Sequence, residues 1–252
     1  MLAFETYIQK LQKILEKIKT KEKEKITYVA QIMAESILNG GIVHFFGSGH
    51  STLPALDAFP RYGSFLGLNP LIDPRLMWFS PTGPASAPGL LLIERKENYV
   101  VDGFLRYQPL RKGDVLIVYS HGGLNAAPVE AALYAKDLGI TVVAITSMTN
   151  QATSTAIHSS GKKLSDIADV SIDNCVPPED ALVPLEGLKE KVAAASTIVA
   201  MIVTMSIIAE TASVLNSKGK KLKIFVSPNV EGFDVDYNLK IFDEHCQLIQ
   251  RH

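Results

Sequence analysis

A chain of 252 residues, 47% hydrophobic and 20% charged, is long enough to bury a substantial core in one large α/β unit and is far from the composition of disordered chains. A formal charge of −1 gives no electrostatic reason to expect a nucleic-acid or anionic-membrane partner. Two distant cysteines, Cys175 and Cys246, lack metal-ligand spacing. They argue against a disulfide framework or a structural zinc site and fit a reducing, cytoplasmic compartment, as does an N-terminus without the layout of a secretion signal.

In chain order, Tyr7 to Ile18 places apolar residues three and four apart, which predicts an amphipathic helix. Lys17 to Lys25 alternates Lys and Glu and reads as a solvated helix end. A second helix is expected from about Glu24 to Leu38, ended by Asn39-Gly40-Gly41. Residues 1–40 thus form a helical pair on the body or on a second subunit, and residues 41–252 one globular unit.

Ile42 to Phe46 predicts the first strand, Thr52 to Phe59 a helix, and Asn69 to Pro74 a short extended piece. Pro81 to Pro88 reads as a loop that could lie over a site, and Leu90 to Leu105 as one helix. Strands follow at Asp114–Tyr119, Ile140–Ile145 and Ala168–Ile172, with a helix over Ala126–Leu138. This βαβ alternation predicts a parallel sheet. A polar loop should run from Thr146-Ser147 through Gly161, and a proline-rich connection from Asp173 to Pro184.

Val192 to Ala209 carries no charge and meets the length of a membrane span. Its Ser196, Thr197, Thr204, Ser206 and five alanines suit a buried core or dimer helix instead. A strand at Lys223–Val226, a loop Ser227–Asp236 and a helix to Gln250 complete the chain.

Two strand–loop–helix units carry the functional signal. The first strand runs into Gly47-Ser48-Gly49-His50-Ser51, and the strand ending at Tyr119 runs into Ser120-His121-Gly122-Gly123-Leu124-Asn125. Glycines and small polar residues before a helix leave backbone N–H groups free at its N-terminus, where anions bind. A dinucleotide fingerprint would need glycine where Thr52 stands. In a doubly wound sheet, two such loops converge on one crevice.

These residues, with Gly113-Asp114-Val115-Leu116-Ile117-Val118, Asn125 with Pro128 and Glu130, Ser160-Gly161-Lys162-Lys163-Leu164, and Ile167-Ala168-Asp169-Val170 leading to Ile172-Asp173-Asn174, resemble the SIS (sugar isomerase) domain family. Asn229-Val230 with Gly232 and Asp234 adds to the match. The likeness covers most of the chain and is nearest to bacterial phosphoheptose-isomerase-like members. It implies an α/β three-layer fold with a five-stranded parallel sheet. It also implies sugar-phosphate binding at Gly47, Ser48, Gly49, Ser51, Ser120, His121, Gly122, Gly123 and Asn125, with no metal or nucleotide cofactor, and assembly as a homodimer or larger homo-oligomer.

Two departures stand out. Gly122 occupies the place of a second phosphate-binding serine, and Phe233 and Tyr237 alter the C-terminal loop. Aldose–ketose isomerisation needs a base for the proton beside the carbonyl and an acid near the neighbouring oxygen. The candidates are His50 and Asp57 as a pair, with Glu94 or Glu97 as the alternative base, since Glu94 and Glu97 fall three apart on an expected helix. His44, inside a strand, reads as a core histidine. Leu56-Asp57-Ala58 also resembles N-acetylmuramic acid 6-phosphate etherase, but Pro60 stands where that enzyme's glutamate falls, which makes lyase chemistry the weaker reading. A non-catalytic phosphosugar sensor is the main alternative to an isomerase.

Overall fold

The computed structural model describes residues 2–78 and 86–252. Five parallel strands, β1 (Val43–Gly47), β2 (Leu68–Leu71), β3 (Val115–Tyr119), β4 (Thr141–Thr146) and β5 (Val170–Asp173), form one sheet in the order β2-β1-β3-β4-β5. β1 and β3 are neighbours in register, with Phe45 opposite Ile117 and Gly47 opposite Tyr119. Helices cover both faces, so every residue of the central strands β1 and β3 is buried, while the edge strands β2 and β5 are partly exposed. Val43, Phe45, Val115, Ile117 and Tyr119 face one core, while Phe46, Leu116, Val118 and Ala144 face the other.

The first core is closed by α1 (Ala3–Lys21), α2 (Lys23–Leu38), α3 (Thr52–Ala58) and α9 (Ser196–Ser217). The second is closed by α4 (Ser86–Ile93), α5 (Tyr99–Gly103), α6 (Ala126–Asp137) and α8 (Leu164–Ile167). α9 is long and apolar enough to cross a membrane by length and composition alone. In the fold, Val199, Val203, Ile207 and Leu215 are buried in the core, on a stripe of four-residue spacing, and the helix packs on α2 and α3.

Several expectations need correction. The helix expected over Leu90–Leu105 is broken, because α4 stops at Ile93 and Asn98 adopts a left-handed φ of 66° before α5. Asn98 N–H donates to the Glu130 carboxylate there, a tertiary bond that outweighs local helix propensity. The apolar run does not begin as helix at Val192. Lys191–Ala194 forms a strand, β7, pairing antiparallel with β6 (Ala181–Pro184), and Asp180 then accepts bonds from Ala195 N, Ser196 N and Ser196 Oγ where α9 starts. The connection expected through Pro184 therefore ends in a strand.

α7 (Met148–Thr153) interrupts the expected polar loop, with Ser147 Oγ accepting from Asn150 N–H at 3.3 Å. Lys223–Val226 contributes one antiparallel bridge, Phe65 to Ile224, in place of a strand. Residues 81–85 of the expected Pro81–Pro88 loop lie outside the described residues, and Ser86 already opens α4. The Lys17–Lys25 run is not solvated throughout. Glu22 is 6% exposed, pairs with Lys25 at 2.9 Å and accepts from Asp173 N–H of β5. A helix junction is thereby tied to the sheet. The last helix, α10 (Val235–Arg251), follows an N-cap at Asp234 that accepts from Tyr237 N–H at 2.7 Å.

His44 is fully buried on β1, as a core histidine should be. Burial holds its imidazole below its usual pKa, although its bond to Asp114 pulls the other way. For Asp114, burial pushes the carboxyl up, but bonds from His44, His252 and the N–H groups of Ile42 and Arg111 outweigh it and hold the group below the ordinary range. Tyr119, completely buried at the end of β3, donates to Thr204 of α9 at 2.8 Å, while Thr204 donates onward to Ala200 O. Tyr119→Phe removes one bond and leaves Thr204 its acceptor. The expected cost is about 1 kcal/mol, read as a fall in the thermal midpoint of about 2–4 °C.

Candidate functional site

The strand order reverses between β1 and β3, so the loops after these adjacent strands flank the switch point where open α/β sheets bind ligands. Each loop is built by close approach. A Cβ on Gly47 would lie 2.1 Å from Ser51 O, so only glycine lets β1 turn directly into the short 3₁₀ turn of Gly49–Ser51. Thr52 Oγ1 donates back to Gly47 O, and Ser51 N–H to Ser48 O. Gly123, at a φ of 64°, would drive a Cβ to 2.4 Å from Gln151 Nε2. Gln151 cannot easily yield, because its buried amide is held by Thr146 Oγ1 and Ser165.

In the second loop Ser120 Oγ accepts from Gly123 N–H at 3.1 Å, and Gly123 O accepts from Leu164 N–H. Asn125 is the N-cap of α6, yet its side chain makes no capping bond. The N–H groups of Gly122, Leu124, Asn125 and Ala126 have no acceptor among the described residues. They form a cradle of donors on a helix dipole, the arrangement that suits a phosphate. Gly122 offers no hydroxyl, and a Cβ there would have the Asn150 amide 3.7 Å away.

The carboxylates separate clearly. Glu94, just past α4 and 8% exposed, accepts from Ser48 Oγ at 3.1 Å and from Arg95 at 2.6 Å. Its backbone O accepts from Ala127 N–H in the first turn of α6. Glu94 therefore touches both the first loop and the helix that begins at the second. Glu97 turns instead to Ser159, whose Oγ and N–H hold its carboxyl below the usual pKa. Asp57, on α3, pairs with Arg61, and no contact among the described residues joins it to His50.

The histidines divide too. His50 is exposed and lies tilted against Trp78, 5.2 Å between ring centroids. His121 is engaged on both ring nitrogens, donating from Nε2 to Pro177 O at 3.1 Å and facing the Asn174 amide with Nδ1. It fastens the second loop to the segment after β5 and presents no free ring nitrogen.

Two contributors were not foreseen: Trp78 covers Gly49, and Gln151 backs Gly123. Glu130, singled out with Asn125 and Pro128 in the sequence, turns out to fix the turn after Glu94 from α6 by accepting from Asn98 N–H. The single tryptophan in the chain was the one available signal for the first two, since nothing local in the sequence ties Gln151 to these loops. A groove of about 730 Å³ lies elsewhere, between Pro60–Tyr62 and α10 residues such as Asn238 and Phe242.

The SIS domain family profile matches residues 6–147. The chain is 35% identical to UPF0309 protein OB3413 of Oceanobacillus iheyensis over 250 residues, covering 99% of both chains. It is 36% identical to UPF0309 protein TTE0306 of Caldanaerobacter subterraneus subsp. tengcongensis, covering 97% of this chain and 98% of that one. Phosphoheptose isomerase GmhA from Neisseria gonorrhoeae superposes with a TM-score of 0.51 at 16% identity, over 82% of this chain and 95% of that one, a likeness of fold. Profile, full-length relatives and the five-stranded parallel sheet agree: the chain belongs to the SIS domain family.

Proposed function

We propose that the protein binds a sugar phosphate at the carboxyl ends of β1 and β3 and interconverts its aldose and ketose forms. The observation that carries this reading is the position of Glu94, buried, bonded to Ser48 of the first loop and to the first turn of α6. The phosphate sits on the donor cradle from Gly122 to Ala126, with Ser120 and Asn125 beside it, and the sugar extends toward Gly47–Ser51. Glu94 takes the proton from the carbon beside the carbonyl and returns it to the neighbouring carbon, while His50 moves a proton between the two oxygens. Aldose and ketose are isomers, so the step needs no oxidant or reductant. Asp57 and Glu97, engaged by Arg61 and Ser159, hold structure in this reading.

The test is proton exchange. The protein is incubated with aldose and ketose phosphates in D2O, and the signal of the proton beside the carbonyl is followed by NMR. Loss of that signal for at least one sugar phosphate is expected. Binding without exchange would favour a phosphosugar sensor, a reading to which Gly122 and the fully engaged His121 give some support. No binding of any sugar phosphate contradicts both.

The working unit in this reading is a cytoplasmic homodimer, with residues 1–40 packed on the body of each subunit. Two free cysteines suit a reducing compartment. α9 exposes Ile198 and Ile202 beside Met201 and Met205 in an apolar groove, and α3, packed on α9, exposes Leu53 and Leu56. Ile202→Glu is expected to convert a dimer into a monomer in sedimentation velocity. A wild-type chain that is already monomeric at micromolar concentration contradicts the assembly.

A further inference from the structure

At the opposite end of the sheet from the two loops, three side chains converge on one point. His44 Nε2 lies 3.2 Å and His252 Nε2 2.7 Å from the same oxygen, Asp114 Oδ2, and all three donor atoms fall within 4.8 Å of one another. The three side chains are at most 1% exposed. We infer that His44, His252 and Asp114 form a structural site for a divalent transition metal, of the zinc type, joining the end of α10 to β1 and β3.

Two imidazoles and a carboxylate are a donor set that zinc takes, with a water as the fourth, tetrahedral ligand. With metal–ligand bonds of about 2.0–2.2 Å, tetrahedral donors stand roughly 3.3 Å apart. His44 Nε2, 3.2 Å from Asp114 Oδ2, already stands at that spacing; His252 Nε2, at 2.7 Å, has to open by about half an ångström, and the two imidazole nitrogens stay within 4.8 Å of one another.

The surroundings already hold the ligands in place. Asp114 Oδ1 accepts from Ile42 N–H and Oδ2 from Arg111 N–H, both at 2.9 Å, which fixes the carboxylate from the backbone. His44 Nδ1 meets the side-chain amide of Asn69 at 3.2 Å. When Nε2 binds a metal, its proton sits on Nδ1, and a rotated Asn69 amide presents its oxygen to that proton, the usual outer partner of a ligating histidine. Hydrogen bonding alone leaves the cluster incomplete. Nδ1 of His252 is buried without a partner among the described residues, and three donors crowd one oxygen of Asp114.

This reading departs from the expectation of a metal-free chain, and sequence spacing could not have suggested it. His44 and Asp114 are 70 positions apart and His252 another 138. The site lies at the amino ends of the strands, so it does not bear on the proposed isomerisation.

The test uses the full chain, freed of metal by a chelator and of any affinity tag. Equilibrium dialysis against Zn2+ with elemental analysis is expected to find one metal per chain. At a hundredfold excess over Kd the thermal midpoint should rise by about 5–10 °C. His252→Ala should lose both the metal and the rise while keeping its circular dichroism spectrum. Should that variant not fold, the wild-type Co2+ complex decides, with intense visible bands of four-coordinate cobalt expected. Absence of stoichiometric binding, undiminished binding in His252→Ala, or only the faint spectrum of six-coordinate cobalt overturns the site and leaves a hydrogen-bonded junction.

Discussion

Glu94→Gln is expected to slow exchange of the proton beside the carbonyl by about 10²–10⁴-fold, the range lost when a positioned general base is removed, while the sugar phosphate still binds. Glutamine keeps the size of glutamate and an oxygen able to accept from Ser48 Oγ, so the first loop should hold its shape. The backbone bond from Ala127 N–H to Glu94 O is untouched by the change. What disappears is a carboxylate able to take a proton, together with the contact to Arg95, which is half exposed and contributes little to stability. The measurement is the initial rate of deuterium incorporation beside the dissociation constant of the same sugar phosphate. A variant that exchanges within tenfold of the wild type removes Glu94 from the role of base. Asp57→Asn and Glu97→Gln serve as comparisons, and both should exchange at nearly the wild-type rate, because their carboxylates are turned to Arg61 and Ser159.

Gly47→Ala should damage stability and binding together. The added methyl group would lie 2.1 Å from Ser51 O and 2.5 Å from its carbonyl carbon. The obstructing atoms are backbone, tied in place by Ser51 N–H to Ser48 O and by Thr52 at the start of α3, so no side chain can rotate out of the way. Accommodating the methyl group requires the 3₁₀ turn to shift, and an overpacked site of this kind costs about 3 kcal/mol. For a chain of this size the thermal midpoint should fall by roughly 6–12 °C. Ser48 moves with the turn and loses its aim at Glu94, so sugar-phosphate binding should weaken beyond what the loss of folded protein explains. A variant with an unchanged midpoint would mean that the turn is looser than its geometry implies.

The strands along the chain and the two loops were legible because each is a local pattern. Apolar runs such as Val115–Tyr119 end in glycine and small polar residues and lead into alanine-rich helix, the pattern of a strand, a tight loop and a helix N-terminus. The breaks were not legible where a distant partner decides. The turn after Glu94 depends on Glu130, which accepts from Asn98 N–H across 32 positions. β7 depends on pairing with β6, and the composition of Lys191–Ala194, running straight into α9, gives no strand signal of its own.

The candidate site divides along the same line. Residues within the loops follow from the motif, whereas the choice among His50, Asp57, Glu94 and Glu97 required knowing which carboxylate reaches Ser48. Sequence placed Glu94 and Glu97 on one helical face. The fold ends that helix at Ile93, leaves both in the connection before α5, and sends one to the first loop and the other to Ser159.

The central claim is that the free amides at the start of α6 receive the phosphate of a sugar. It is tested most directly by titrating the isotope-labelled protein with fructose 6-phosphate and inorganic phosphate, with fructose as the control, while following backbone amide resonances by NMR. The account predicts saturable shifts concentrated at Gly122, Leu124, Asn125 and Ala126 for both phosphate-bearing compounds. The sugar phosphate should in addition shift Gly47–Ser51, and fructose should shift none of these. Shifts confined to other regions, such as the groove beside Phe242, or no shifts at millimolar phosphate, would contradict it.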